Sequence, residues 1–288
     1  FSINIYSQDE EKDQGGIEEV VVTATSRESS ILDVPYNIST IAGSDIKERN
    51  ILDNEELLRN FVGISSIDRG YRNAGTTSNV RIRGLNVDSS ALQDYPVSAV
   101  ASVSTYVDKT PVFANFLLRD LKRVEVLRGP QGTLYGSGSL GGTIRYITND
   151  PVIGSFEGSI NYTGSSVNGS DSIGNAFDVV LNIPIGQKIA YRAVVSELDY
   201  PGITDYVNVF EVTDVPGNFY ADQSFGIPVS RDGYDYPNYY TSPPKIKTVK
   251  DADNVEISFL RHKLLIDISD RVELVLSSAS QDDNVGGR

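Results

Sequence analysis

From Phe156 onward the side chains change character at every second residue, and this period of two constrains the fold more than any other feature of the sequence. In FEGSINYT, Phe156, Gly158, Ile160 and Tyr162 share one side of an extended chain, and Glu157, Ser159, Asn161 and Thr163 share the other. In AFDVVLNI, Phe177, Val179, Leu181 and Ile183 oppose Ala176, Asp178, Val180 and Asn182. Residues 188–199, 254–267 and 271–279 read as further strands, the first two with weaker alternation. The connections alternate as well: GSSVNGSDSIG is long, PIGQ is tight, 200–253 is very long and the ISD turn is tight. Long loops at one end and short turns at the other are the pattern of an outer-membrane barrel, and strands of about ten residues suit a tilted bilayer crossing. The side carrying Glu157, Asn161, Asp178 and Asn182 would then line a wet lumen. A soluble β-sandwich also alternates and also varies its loops, so the pattern alone leaves both architectures open.

Before Pro151 the grammar is mixed. NISTIAG, SNVRIRGL, SVSTYVDKTPV and VEVLRG read as strands, and FLLRDLKR (116–123) reads as a short helix. Ser44 and Asp53 are placed to cap helices over 45–50 and 54–61, with Gly63 closing the second. Together these predict a compact α+β domain that ends near Pro151. Residues 1–16 end in DEEKDQGG, an acidic stretch expected not to pack, and IEEVVVTAT (17–25) follows as a short β-prone segment in need of a partner strand.

LYGSGSLGGTIRYIT holds Gly136, Gly138 and Gly141 at the spacing of a dinucleotide-binding turn. Such a turn needs a helix after it to hold the pyrophosphate, and GTIRYIT is β-branched and alternating. The glycines therefore belong to a connection between strands, with no nucleotide. Ser139 fails as a nucleophile elbow for the same reason, and Ser137 stands where that motif needs its first glycine.

Composition removes other classes. A formal net charge of −14 sets like charge against a phosphate backbone, so nucleic acid is not an expected partner. There is no Cys and a single His, His262, which sits between Arg261 and Lys263 in a strand-like run and reads as an ordinary strand residue. No metal site and no cofactor is expected. No apolar run is long enough for a transmembrane helix, which leaves transmembrane strands open. The chain begins at Phe1 and lacks Met, so the expectation is a mature product or a fragment.

The stretch LKRVEVLRGPQGTLYGSGSLGGTIRYITNDP (121–151) resembles the end of the plug domain of TonB-dependent outer-membrane receptors. IEEVVVTAT is similar to their energy-coupling box, and SDIKERNILDNEELLRNFVGI, NVRIRGLN and VSTYVDKTPV fall between in the family's order. One departure is VDKTPV, where Lys109 and Thr110 follow an Asp that usually precedes Gly. The resemblance implies a leader over 1–30 with the coupling box at 17–25, an α+β plug over 31–151, and over 152–288 the first five or so antiparallel transmembrane β-barrel strands. That is an incomplete barrel of the roughly 22-stranded kind, expected to continue in a longer protein.

The implied function is TonB-dependent import of a scarce ligand such as a ferric siderophore, with no enzymatic activity, in the bacterial outer membrane and its lipid. Ile17, Glu18, Glu19, Val20, Val21, Val22, Thr23 and Ala24 would pair with TonB by strand addition. Arg83 and Arg128 match arginines that lock the plug to carboxylates of the barrel wall. Ligand contacts are expected from plug loops through Tyr71, Arg72, Asn73, Gln93, Asp94 and Tyr95, and from an exterior loop through Tyr234, Tyr236, Tyr239 and Tyr240. The alternatives from other classes are a passive pore or adhesion module, and a secreted β-rich carbohydrate-active enzyme using paired carboxylates such as Asp199 and Asp205.

Overall fold

The computed structural model describes residues 2–6, 21–22, 29–30, 37–49, 51, 54–67, 79–85, 102–112, 117–136, 138–211, 219–221, 228–230, 245–269 and 271–286. The chain opens with β1 (Ser2–Tyr6), β2 (Val21–Val22), β3 (Ser29–Ser30) and β4 (Asn37–Ala42), then helices α1 (Gly43–Glu48) and α2 (Asn54–Arg59). Next come β5 (Ile64–Ile67), β6 (Asn79–Ile82), β7 (Val103–Val107), β8 (Thr110–Pro111), β9 (Leu121–Arg128), α3 (Gly132–Tyr135) and β10 (Gly142–Thr148). The long strands β11 (Glu157–Ser166), β12 (Ile173–Ile185) and β13 (Ile189–Tyr200) follow. After short strands β14 (Tyr206–Glu211), β15 (Phe219–Ala221), β16 (Pro228–Ser230) and β17 (Lys245–Val249), the chain ends in β18 (Val255–Ser269) and β19 (Val272–Val285).

The first unit is a five-stranded sheet in the order β4-β9-β10-β7-β8, in which β10 pairs antiparallel with β9 and parallel with β7. One face of that sheet, Val124, Val126, Ile144 and Tyr146, is buried against Ile46, Ile51, Leu57, Leu58 and Phe61 from the helices and the residues after them. Burial of these side chains supplies the driving force for this unit, at roughly 1.5–3 kcal/mol for each large one. In α2, Glu55 and Glu56 occupy the first turn and Arg59 the last, which suits the helix dipole.

Two expectations for this unit are corrected. Residues 121–123 of the helix expected over 116–123 belong instead to strand β9, which continues through the expected strand VEVLR, and 117–119 are irregular. LKRVEV alternates against the buried sheet, and tertiary pairing on both sides outweighs helix propensity. Helix α1 begins at Gly43 with no side-chain cap, so Ser44 lies within it. The residue that opens the helix has to be glycine, since a Cβ on Gly43 would stand 1.9 Å from Leu121 O. Asp53 lies outside the described residues.

The second unit is a six-stranded sheet in the order β1-β11-β12-β13-β18-β19. The pairs from β11 to β19 are antiparallel neighbours in sequence order, apart from the β14–β17 insertion. That insertion corrects the picture of 200–253 as one long loop: β14 pairs with β17 and β15 with β16. The connection after β11 is also shorter than expected, because strand continues through Ser166 and resumes at Ile173. The leader was expected not to pack, yet Ser2–Tyr6 pairs antiparallel with β11, Ile5 opposite Ile160. SINIY has the composition of a strand, and an open sheet edge offers it unpaired N–H and C=O groups.

Candidate functional site

The site is the seat between the two units, and the register of the long strands builds it. Glu157, Asn182, Arg192, Lys263 and Ser277 are successive cross-strand partners, so they form one transverse row on the same face of β11, β12, β13, β18 and β19. Two residues farther from the short turns comes the row Ser159, Val180, Val194, Arg261 and Ala279, and then Asn161, Asp178, Ser196, Phe259 and Gln281. This face meets the first unit. The opposite face carries exposed Ile160, Phe177, Ile183, Leu260, Leu274 and Leu276, an apolar surface of the kind that faces lipid.

The rows engage three turns at one end of the five-stranded sheet. Arg192 donates to both oxygens of Asp120, from Nε to Oδ2 and from Nη2 to Oδ1, each at 2.7 Å. Arg261 Nη2 donates to the carbonyl of Arg119 at 2.8 Å and lies 3.4 Å from Asp120 Oδ2. Lys263 Nζ reaches Asp150 at 2.9 Å and Asp108 at 3.0 Å. Arg119 Nε donates to Asp178 at 2.7 Å, and Gln281 Oε1 accepts from Leu117 N–H at 2.8 Å. Beside this seam, Val107, Asp108, Leu118, Phe259, Arg261 and Ala279 are among the residues lining a cavity of about 260 Å³.

Two of the three aspartates of the first unit's turns are held in a conformation that few side chains accept. Asp108 has φ 53° and Asp120 has φ 54°. Asp108 is the first residue of the two-residue turn between β7 and β8, so the departure at Lys109 and Thr110 leaves a closed hairpin. Its carboxylate accepts from Thr148 N–H at 2.8 Å and from Thr148 Oγ1 at 2.7 Å. Asp120 accepts from Asn149 Nδ2 at 2.8 Å, and its carbonyl accepts from Asn149 N–H at 3.1 Å. These bonds repay the backbone strain by tying the ends of β7, β9 and β10 together.

Within the first unit, Glu125 is fully buried and takes Arg123 Nε at 2.7 Å and Arg145 Nη1 at 2.6 Å. The Arg145 guanidinium also lies 5.8 Å from the centre of the Tyr135 ring, whose edge-to-face partner is Tyr106. On the opposite face Tyr146 donates to Asn54 Oδ1. Burial, and then the charge of Glu55, push its phenol well above the usual tyrosine range, so it is a neutral donor.

Arg83 and Arg128 lie near one another at the far end of β9 from Asp120. Arg128 Nη1 donates to Ser39 Oγ at 2.7 Å and Asn37 Oδ1 at 3.0 Å. Burial first, and then the charge of Arg83, hold its pKa below the ordinary guanidinium value. Arg83 is exposed, with φ 54°. Val21 and Val22 pair with Ser30 and Ser29 in a two-stranded sheet separate from the five-stranded one. Ile17, Glu18, Glu19, Val20, Thr23, Ala24, Tyr71, Arg72, Asn73, Gln93, Asp94, Tyr95, Tyr234, Tyr236, Tyr239 and Tyr240 lie outside the described residues.

The wet lumen is corrected where the first unit fills it. Asn182 is fully buried on the 152–155 linker, and Asp178 is paired with Arg119. Of the proposed carboxylate pair, Asp199 stands exposed on the outward side of β13 and Asp205 accepts from Asp251 N–H at 3.0 Å. The cations Arg192, Arg261 and Lys263 are missing from the sequence-derived site. The sequence carried a signal for two of them, though not for their partners: Arg261 and Lys263 are two apart in FLRHKLL, hence on one face of the strand.

The family model described as the TonB-dependent receptor plug domain matches residues 30–143. An iron-regulated outer membrane virulence protein of Vibrio cholerae is 30% identical over 151 residues, 51% of this chain and 22% of that protein. A vitamin B12 transporter of Vibrio vulnificus is 31% identical over 160 residues, 53% of this chain and 23% of that protein. Among solved structures, the ferripyoverdine receptor of the Pseudomonas aeruginosa outer membrane aligns with a TM-score of 0.58 at 17% identity, covering 92% of this chain and 27% of that one. The chain thus spans about a quarter of the length of the proteins it matches, and it shares with the solved receptor the fold of a mixed plug sheet and barrel-like antiparallel strands. Residues 30–143 match the plug domain of TonB-dependent receptors, and the chain as a whole is similar to receptors of that family in its ordered motifs and its fold.

Proposed function

We propose that this chain supplies the plug and the first wall strands of an outer-membrane importer driven by TonB. The observation that carries the reading is the seat itself: a small mixed sheet fastened by ion pairs to the polar face of long strands whose other face is apolar. Such an arrangement closes a lumen at rest, and a closed lumen needs work to open. The work would enter through Ile17–Ala24, whose three consecutive valines suit pairing with an extended TonB strand, in a leader over 1–30. The plug would extend over 31–151 and the wall from 152 onward. Arg83 and Arg128 would face wall carboxylates outside this chain, and Tyr71, Arg72, Asn73, Gln93, Asp94 and Tyr95, with Tyr234, Tyr236, Tyr239 and Tyr240, would meet the ligand.

For the ligand we favour a ferric siderophore, supported by the iron-regulated relative and by the receptor solved with ferripyoverdine. The test uses the full-length receptor in cells, with radio-iron-labelled ferripyoverdine and labelled vitamin B12 as probes. Removing residues 17–25 should leave surface binding of the accepted probe intact and abolish its uptake. Uptake that survives the deletion would overturn energy coupling and favour a passive pore.

A further inference from the structure

We propose that Asp120 is the keystone of a clamp that seats the plug against β13 and β18, separate from the arginine pair at the other end of β9. Asp120 precedes β9 and Arg128 ends it, so the two sites are roughly 26 Å apart along an extended strand. The charges also run the opposite way, with the carboxylate on the plug and the guanidinium groups on the wall. The side chain of Asp120 is 1% exposed, those of Arg192 and Arg261 11% and 7%. Two wall cations from adjacent strands therefore converge on one plug carboxylate in a place with little water.

The geometry makes Asp120 a positioning residue for the whole plug. Arg192 grips it with two parallel bonds, which fix orientation as well as distance. Arg261 adds a bond to the Arg119 carbonyl, so the backbone of the turn is held along with its side chain. Asn149 ties the same carboxylate to the end of β10, passing the hold to a second strand of the plug sheet. Loss of the Asp120 charge would leave two buried guanidinium groups without their shared counter-charge, so the clamp should release as a unit.

This inference rests on the reading of the chain as a plug within a wall, and its test needs neither ligand nor TonB. The full-length receptor is expressed in cells lacking TonB, and vancomycin entry is read from growth inhibition. Asp120→Asn should raise sensitivity several-fold, and Arg192→Gln, which leaves the plug's own turn intact, should do the same. The double variant should leak no more than either single one, and Arg192→Lys should restore part of the seal. Outer-membrane assembly is confirmed for each variant by heat-modifiable migration. A seal equal to the parent's in both single variants would overturn the clamp. So would leakage confined to Asp120→Asn, since that outcome assigns Asp120 to folding of the turn. Failure of uptake in the leader deletion bears on coupling to TonB and leaves these outcomes unchanged.

Discussion

Asn182 serves Val152 as a strand partner would: its Oδ1 accepts the Val152 N–H at 2.9 Å and its Nδ2 donates to the Val152 carbonyl at 2.9 Å. A third bond, to Ser155 O at 2.7 Å, fixes the linker that carries the chain from plug to wall. Asn182→Ala removes all three partners in a fully buried place and should cost about 1–3 kcal/mol for each backbone group left unsatisfied. Asn182→Asp keeps the acceptor but sets a buried carboxylate against the Val152 and Ser155 carbonyls, so its loss should exceed that of Asn182→Ala. Urea unfolding of the full-length receptor in detergent, followed by tyrosine fluorescence, checks the order.

The Glu125 carboxylate sits between Arg123 and Arg145 with no solvent contact. Glu125→Gln removes the buried charge that Arg123 and Arg145 share, and a loss of roughly 3–5 kcal/mol is expected for the plug. Hydrogen exchange should show it as faster exchange of β9 and β10 amides, with the wall strands unaffected. Unchanged protection would refute the role of this triad in plug stability.

The glycines of the connecting segment separate by substitution. Gly142 has φ 153°, and a Cβ there would stand 2.3 Å from Leu127 O and 2.7 Å from the Ile82 side chain. Gly136 has φ 71° and open space around it. Gly136→Ala should therefore cost only the backbone term, about 1–2 kcal/mol, whereas Gly142→Ala must also displace β9. Thermal unfolding of the two variants should rank Gly142→Ala as the more damaging.

At the long-loop end, Asp251 Oδ2 accepts from Ser170 Oγ, Asp171 N–H and Ser172 Oγ, and Lys250 pairs with Asp171. The hydrogen bond and charge of Lys250 lower the Asp171 pKa, so this exposed pair favours the folded loop above the usual carboxylate range. Its contribution should disappear as pH falls through the lowered value. In an NMR titration the Asp171 carboxyl should titrate below an ordinary aspartate, and Lys250→Met should return it to normal.

Much of this architecture was legible from residue patterns. Strands β4, β7 and β10 of the plug could be read directly from the sequence, and so could the alternation of β11 and β12, because Asp178 and Asn182 stand opposite Phe177, Leu181 and Ile183. Alternation faded in β13 and β18 for a physical reason. Their inward positions include Val194, Leu198, Ile257 and Phe259, buried or packed under the plug rather than wetted, so both faces are partly apolar. The seat was not legible, since Asp120 and its partners Arg192 and Arg261 lie 72 and 141 residues apart in sequence. No local pattern marks such a pair, and only the register that aligns Arg192 with Lys263 reveals it.

The proposed function requires that a partner strand pull this plug through residues 17–24. The chain has no native cysteine, so a single introduced thiol at each position from Ile17 to Ala24 is unique within it. Each variant of the full-length receptor is expressed with a TonB that carries one cysteine, and disulfide formation is measured in living cells. Strand addition places alternate side chains on one face, so cross-linking should rise and fall with a period of two along the segment. An assembled receptor that cross-links to TonB at none of these positions would contradict the account.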